Sequence, residues 1–316
     1  MDRTLYDVIV VGAGPAGVVF SSVIRENTSS SILLVDADTD YCASIKKYNT
    51  FYKNFKSLKS EEYDILLQGD KDGADLYRYF HKKYGDGIRV EKFEVVQIEK
   101  KDNLFYLRDG HGKSLTTKVA ALATGVRRKT LEILSTSDIT LLDKFEMKLK
   151  AEEYGCEVIF IGSGDNAAIK SIRLCKLFEI DGQKDHRVTI IAKPSFFERI
   201  NPRFHEELRR YEEEGILRFI YTPEKAIGFK YLQSGLVSEV LFEKSSFKIV
   251  SNKGCLVGVY IGFEPNLPLL TNCSKEDLLL IGDIQSLSTG EVVSLTDAVS
   301  NAEIAAHHLL STKTIL

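Results

Sequence analysis

An α/β fold built from two parallel-sheet βαβ units is what this sequence of 316 residues predicts, and three observations carry the prediction. An apolar, β-branched run, Tyr6 to Val11 (YDVIVV), ends in a glycine turn and is followed by a helix-length segment from Pro15 to about Glu26. The same order returns in mid-chain, where Glu157 to Ile161 (EVIFI) passes through Gly162 to Gly164 into a segment from Asn166 to about Phe178. Each unit closes on another short apolar run, SILLVD ending at Asp36 in the first and Arg187 to Ile191 in the second.

Between and after these units the remaining elements follow in order. A polar, aromatic-rich stretch from Asp38 to Asp70 precedes a helix from about Asp75 to Lys83, and alternation from Val90 to Leu107 predicts antiparallel strands. Val119 to Ala123 reads as a short buried strand ending in ATG. Asn201 to Gly215 (NPRFHEELRRYEEEG) reads as a charged helix with a solvated face, followed by strand-like runs to Ile261 and a final helix from Thr296 to Leu310.

The length suits two domains, and 44% apolar residues can fill two cores. Lysine and arginine number 42 against 45 acids, so a formal charge of -3 gives no electrostatic reason to expect nucleic acid or an anionic membrane as partner. Only a four-residue apolar run (VIVV) leads into the first glycine, too short for a signal-peptide core or a membrane span. Five scattered cysteines, Cys42, Cys156, Cys175, Cys255 and Cys273, with no CxxC pair, suit reduced thiols and a cytoplasmic location. The six histidines show no metal spacing, so no metal is expected.

The glycine turns carry the chemistry. In VGAGPAG, Gly12 permits the tight turn, Gly14 lets a pyrophosphate approach the backbone, Gly17 lets helix and strand pack closely, and the helix amino terminus faces the phosphates. Asp36 stands where a carboxylate accepts hydrogen bonds from an adenosine ribose. The second turn, GSGDNAA, keeps Gly162 and Gly164 and places Ala167 third. Its next strand ends in IIAKPSFFER, which offers no acid to a free ribose 2'-hydroxyl but has Lys193, either a partner for a 2'-phosphate or a solvated surface lysine. NADPH is expected over NADH on that basis.

Taken as an ordered set, VIVVGAGPAG (8–17), ATG (123–125), IGSGDNAA (161–168), IGFEPN (261–266) and IGD (281–283) resemble the thioredoxin reductase-like branch of the pyridine nucleotide-disulfide oxidoreductases. That resemblance implies two Rossmann-like dinucleotide-binding domains, with an NAD(P)H domain (127–252) inserted in a split FAD domain (1–126 and 253–316). It implies that Gly12, Gly14, Ala16 and Gly17 cradle FAD, with Asp36 on its ribose in place of the family's usual Glu. Thr124 and Gly125 would line the FAD site at the crossover, and Gly282 and Asp283 would meet its ribityl or phosphate portion. Val292 and Val293 would point helix-start N–H groups at the flavin. Gly162, Gly164, Asp165, Asn166 and Ala167 would serve the nicotinamide nucleotide. A homodimer is also implied.

Departures from the family pattern steer the function. Thioredoxin reductases carry a CxxC pair near the second turn, whereas LDKFEMKLKAEEYGC holds Cys156 alone. Cys42 lies near where another branch keeps a CxxxxC pair, but the second position is Lys47, which leaves at most a lone flavin-facing thiol. Bacillithiol disulfide reductase-like proteins place a cysteine in the first glycine motif, where this chain has Ala16. Tyr48, Phe51, Tyr52 and Phe55 either cover the flavin or belong to the core. The expected activity is an FAD-dependent oxidoreductase that takes hydride from NAD(P)H and passes electrons directly to a small-molecule or redox-protein acceptor, as ferredoxin-NADP reductases of this fold do. The alternatives are a small flavin-dependent monooxygenase and a slow nucleotide-responsive FAD-binding protein.

Overall fold

A strand whose side chains are apolar on both faces must lie inside a sheet covered on both sides, and the amino-terminal run does so. The computed structural model describes residues 4–46, 73–84, 87–182, 188–244, 248–285 and 295–312. The chain divides into two compact units, Met1–Arg127 with Glu264–Leu316, and Arg128–Phe263.

In the first unit, β1 (Leu5–Val11) runs parallel between β2 (Ile32–Asp36) and β6 (Ser114–Leu122). Val8 and Val10 point into one core with α1 (Pro15–Asn27) and α8 (Leu295–Ser311), while Ile9 and Val11 point into the other. All four are buried, each stabilising by roughly 1.5–3 kcal/mol. The order continues outward through β3 (Val90–Lys92), parallel to β2, and on the far side through β5 (Leu104–Arg108) and β4 (Gln97–Lys101) to β15 (Leu269–Thr271). Short β16 (Leu279–Leu280) adds parallel to β6. The antiparallel expectation for Val90 to Leu107 therefore holds for β4 and β5 and fails for β3, which hydrogen-bonds to the far edge of β2.

Asp7 ties β1, the entry to β2 and β6 together. Its carboxylate accepts from the Ser31 amide and hydroxyl, each at 2.8 Å, and from Lys118 Nζ at 2.7 Å. Helices α2 (Ala43–Lys46) and α3 (Gly73–Tyr84) also belong to this unit.

The second unit holds a six-stranded sheet ordered β10 (Leu217–Tyr221), β9 (Val188–Ala192), β8 (Glu157–Ile161), β13 (Lys248–Val259), β12 (Val237–Phe242), β11 (Ala226–Tyr231). β13 pairs in parallel with β8 up to Val259↔Ile161. Those bonds hold the chain in this unit through Phe263, later than the expected break at 252–253. Strands β7 (Val126–Arg128) and β14 (Phe263–Pro265) pair where the chain crosses out and back.

Two helices of this unit differ from expectation. α4 (Lys144–Tyr154) was not anticipated. It starts on a capping box, with Asp143 Oδ1 accepting from Phe145 and Glu146 amides and Glu146 accepting the Asp143 amide, and it stops at left-handed Gly155. The 201–215 segment, which comes after short α6 (Phe196–Arg199), begins as a 3-10 turn at Pro202–Phe204 and continues as α7 (His205–Glu213). Its face is not wholly solvated, because Tyr211 is fully buried and donates to Glu179 Oε2 of α5 (Asp165–Ile180) at 3.1 Å. Among the described residues no helix is long and apolar enough to cross a membrane.

Asp7 supplies a pH test. The Lys118 and Ser31 hydrogen bonds hold its carboxyl down at about 2, so its stabilisation is present above the ordinary carboxylate value near 4 and lost as pH falls toward 2. Asp7→Asn should melt below wild type at pH 7, with the gap closing between about pH 4 and pH 2. A gap independent of pH across that range would count against the assignment.

Candidate functional site

The first turn is shaped by close approach. Gly12 has φ +105°, and a Cβ there would lie 2.5 Å from the Ala123 carbonyl oxygen at the end of β6. A Cβ on Gly17 would lie 1.9 Å from the Gly12 oxygen, so helix and strand touch backbone to backbone. Gly14 differs: it is the N-cap of α1 in an extended conformation, and a Cβ there meets nothing within 4 Å. The protein itself therefore requires two of the three glycines, and the third borders open space in front of a helix amino terminus with no acid in its first turn. That cradle fits a dinucleotide diphosphate.

Around it, Asp36 accepts from the Ala13 amide at 2.6 Å through Oδ2 and from the Asp38 amide at 3.0 Å through Oδ1. The carboxylate thus braces the turn, and each oxygen retains a lone pair for a ribose hydroxyl. Thr124 donates its hydroxyl to the Asn266 carbonyl, and the Asn266 amide donates to the carbonyl of left-handed Gly125 at 3.2 Å. This joins the ATG segment to IGFEPN. Gly282 has φ +72°, and a Cβ there would meet the Ala16 Cβ at 2.6 Å, so Ala16 is the surface that the IGD turn packs on. Asp283 follows, half-buried. Val292, Val293, Lys47, Tyr48, Phe51, Tyr52 and Phe55 lie outside the described residues.

The sequence reading missed a polar cluster next to this turn. Tyr77 donates to Asp40 Oδ1 at 2.8 Å, His81 Nε2 is 3.4 Å from the same oxygen, and the His81 ring stacks on Tyr41 at 3.9 Å. The cluster anchors the 38–42 loop to α3. The adjacent Cys42, at φ +58°, donates its amide to the Ala13 carbonyl at 2.7 Å. An aspartate followed by a tyrosine in a loop carries no spacing signal for a histidine forty residues away.

The second turn repeats the plan with different parts. A Cβ on Gly162 would lie 2.3 Å from the Tyr260 carbonyl oxygen, while one on Gly164 meets nothing within 4 Å. Ala167 is fully buried in the core of this unit, which accommodates its methyl. Ser163 Oγ accepts the Lys193 amide at 2.7 Å, fixing the residue after β9 beside the turn with its side chain exposed. Asn166 is exposed in the first helical turn. The Asp165 carboxylate accepts from the Asn201 amide at 2.8 Å, so its role here is to hold the segment after α6 against α5. Tyr260 donates to the Thr140 carbonyl at 3.0 Å, and Thr140 Oγ1 accepts the Val259 amide at 3.0 Å.

None of the five cysteines forms a disulfide. Cys42, Cys156, Cys175 and Cys255 are buried to 2% exposure or less. Burial pushes the Cys255 thiol up to about 12, helped by Glu157, and pushes Cys42 and Cys175 well above the ordinary thiol range. Among the described residues no cluster of three or more His, Cys, Asp or Glu is placed to hold a metal.

The family model for pyridine nucleotide-disulphide oxidoreductases matches residues 6–284, and the chain belongs to that family, whose members are flavin-dependent enzymes using FAD and NAD(P)H. A curated relative, the uncharacterized oxidoreductase CzcO of Bacillus velezensis, is 24% identical over 207 residues, which span 61% of this chain and 57% of that protein. Its remaining length has no counterpart in the match. Among solved structures, the bacillithiol disulfide reductase Bdr of Bacillus cereus is 14% identical with a TM-score of 0.71, covering 98% of this chain and 100% of that one. The T. acidophilum thioredoxin reductase is 18% identical with a TM-score of 0.67, covering 99% of each chain. At these identities the likeness establishes the two-domain dinucleotide-binding fold.

The contrast between Gly14 and Gly17 is testable. Gly14→Val should fold, costing no more than about 1 kcal/mol as a poorer N-cap, yet purify without flavin. Gly17→Val should lose about 3 kcal/mol or more of stability through backbone collision. Denaturant unfolding and the visible spectrum separate the two effects, and a yellow, stoichiometrically loaded Gly14→Val would refute the cradle.

Proposed function

We propose that this protein is an NADPH-preferring flavoprotein oxidoreductase that passes electrons from FAD directly to an external small-molecule or redox-protein acceptor, with no internal dithiol between them. The observation that carries this reading is the combination of two built dinucleotide turns with five cysteines that form no disulfide, four of them buried in the core.

Bound FAD supplies the hydride-accepting and electron-donating chemistry, with NAD(P)H as the donor. The chain's own part is binding and orientation. Gly12, Gly14 and Gly17 hold the FAD diphosphate against α1, Asp36 offers its free lone pairs to the ribose, and the Thr124–Asn266 clasp keeps the outgoing and returning segments together. Gly162 and Gly164 do the same for the nicotinamide nucleotide at α5. Lys193 supports the phosphate preference because its backbone is bonded to Ser163 within the turn, and the strand before it ends in Ala192 with no carboxylate to select a 2'-hydroxyl. Cys42 supports direct transfer because a thiol this deeply buried, with its acidity suppressed, is a poor nucleophile.

Anaerobic titration of the purified protein with NADPH and NADH, following flavin absorbance, tests the proposal. NADPH should bleach bound flavin stoichiometrically. Lys193→Ala should weaken NADPH by about tenfold, the loss of one charge-assisted phosphate contact, and leave NADH within about twofold. Equal effects on both would remove the basis for the preference, and flavin that neither nucleotide reduces would reject the oxidoreductase reading.

A further inference from the structure

The amino terminus of α5 is electrostatically poorer than that of α1. A helix end contributes roughly half a positive charge, whereas a dinucleotide diphosphate carries about two negative charges at neutral pH. α1 has no acid in its first turn, but α5 begins with Asp165, which adds a negative charge where the phosphates would sit. A diphosphate at the second turn needs cations that the glycine motif does not provide.

Two are in place at the carboxyl ends of β8 and β13, the edge of a parallel sheet where ligands bind. Tyr260, whose carbonyl is the wall behind Gly162, has its ring beneath the Arg128 guanidinium, 6.0 Å from centroid to carbon. Arg128 Nη1 also reaches the Thr140 carbonyl at 3.4 Å. Lys170 lies one helical turn beyond exposed Asn166 on the same face of α5 and donates to the Leu142 carbonyl at 2.7 Å, just before the α4 N-cap. Neither cation has a carboxylate salt-bridge partner among the described residues. The nearby acids Asp143 and Glu146 are occupied by the capping box. Carbonyl contacts leave an ammonium two further donors and a guanidinium four.

We propose that Arg128 and Lys170 form a second anion subsite of this unit, which takes the diphosphate of the bound nicotinamide dinucleotide together with the Gly162–Gly164 turn. The inference rests on the dinucleotide reading of that turn. It assigns the work differently from Lys193, which would read only the 2'-phosphate. Burial, reinforced by Arg173 and Arg128 and opposed by Asp143 and Glu146, holds the Lys170 ammonium below the ordinary lysine range.

Calorimetric titration with ADP-ribose, which has the diphosphate, and with adenosine 2'-phosphate, which lacks it, tests the subsite. Arg128→Gln and Lys170→Gln should each weaken ADP-ribose by about tenfold and leave adenosine 2'-phosphate unchanged, the opposite pattern to Lys193→Ala. Folded variants with wild-type affinity for ADP-ribose would overturn the inference while leaving the dinucleotide reading intact. Wild-type protein that does not bind ADP-ribose would overturn both. If either variant fails to fold, acetylation of Lys170 in the native protein, mapped by peptide mass, decides: ADP-ribose should protect it several-fold, and equal labelling with and without ADP-ribose would sink the idea.

Discussion

The backbone contact among Gly12, Gly17 and Ala123 is the constraint on which the first unit depends. With no side chain at 12 or 17, the end of β1, the start of α1 and the end of β6 come together at one point. Everything near the turn is then fixed from it. The Gly12 amide is taken by the Val35 carbonyl, the Ala13 amide by the Asp36 carboxylate, and the Ala13 carbonyl by the Cys42 amide. The late segment enters the same arrangement, because the Ile281 amide bonds the Leu122 carbonyl and Gly282 rests on Ala16. A substitution at Gly17 would disturb five segments distant in sequence, which is why a packing constraint and a binding site coincide here.

The second unit meets the same need with a different wall. There the backbone of Tyr260, at the end of β13, stands behind Gly162 as Ala123 stands behind Gly12. Because β13 follows a long excursion through β11 and β12, the wall of the second turn comes from a segment nearly a hundred residues further along the chain. The tyrosine adds what an alanine cannot: a hydroxyl that fixes Thr140 and a ring face beneath Arg128. A wall residue thus also sets the electrostatics of the turn it supports.

Much of this was legible in the sequence, and the division between what was and was not is physical. Strand–turn–helix units are local, so the two turns and the helices after them followed from spacing, whereas the inserted order of the domains came from the family resemblance. α4 escaped notice because its apolar residues do not mark one buried face: Phe145 and Leu149 are 57% and 66% exposed. Its signal was the Asp143 to Glu146 capping box and the Gly155 stop, which are local and were readable. The return point of the chain was placed too early because pairing of β13 with β8 links residues nearly a hundred positions apart. Asp36 shows a further limit: its type and position were evident, but not that its carboxylate braces the turn through Ala13.

The cysteines illustrate how a residue type gains or loses chemistry from its surroundings. A thiol attacks as thiolate, and burial pushes the Cys255 thiol up to about 12, so it stays protonated at neutral pH. Four of the five thiols are small hydrophobic core side chains in this chain, and Cys156, though it directly precedes β8, lies in the same core cluster as Cys175 and the second turn's Ala167. A disulfide relay needs two sulfurs that meet each other and the redox centre in turn. Here the close approaches at the turns are made without sulfur: the Ala16 methyl against Gly282 at the first, the Tyr260 carbonyl against Gly162 at the second. The close packing that shapes the two turns is thus built from backbone carbonyls and an alanine methyl rather than from sulfur.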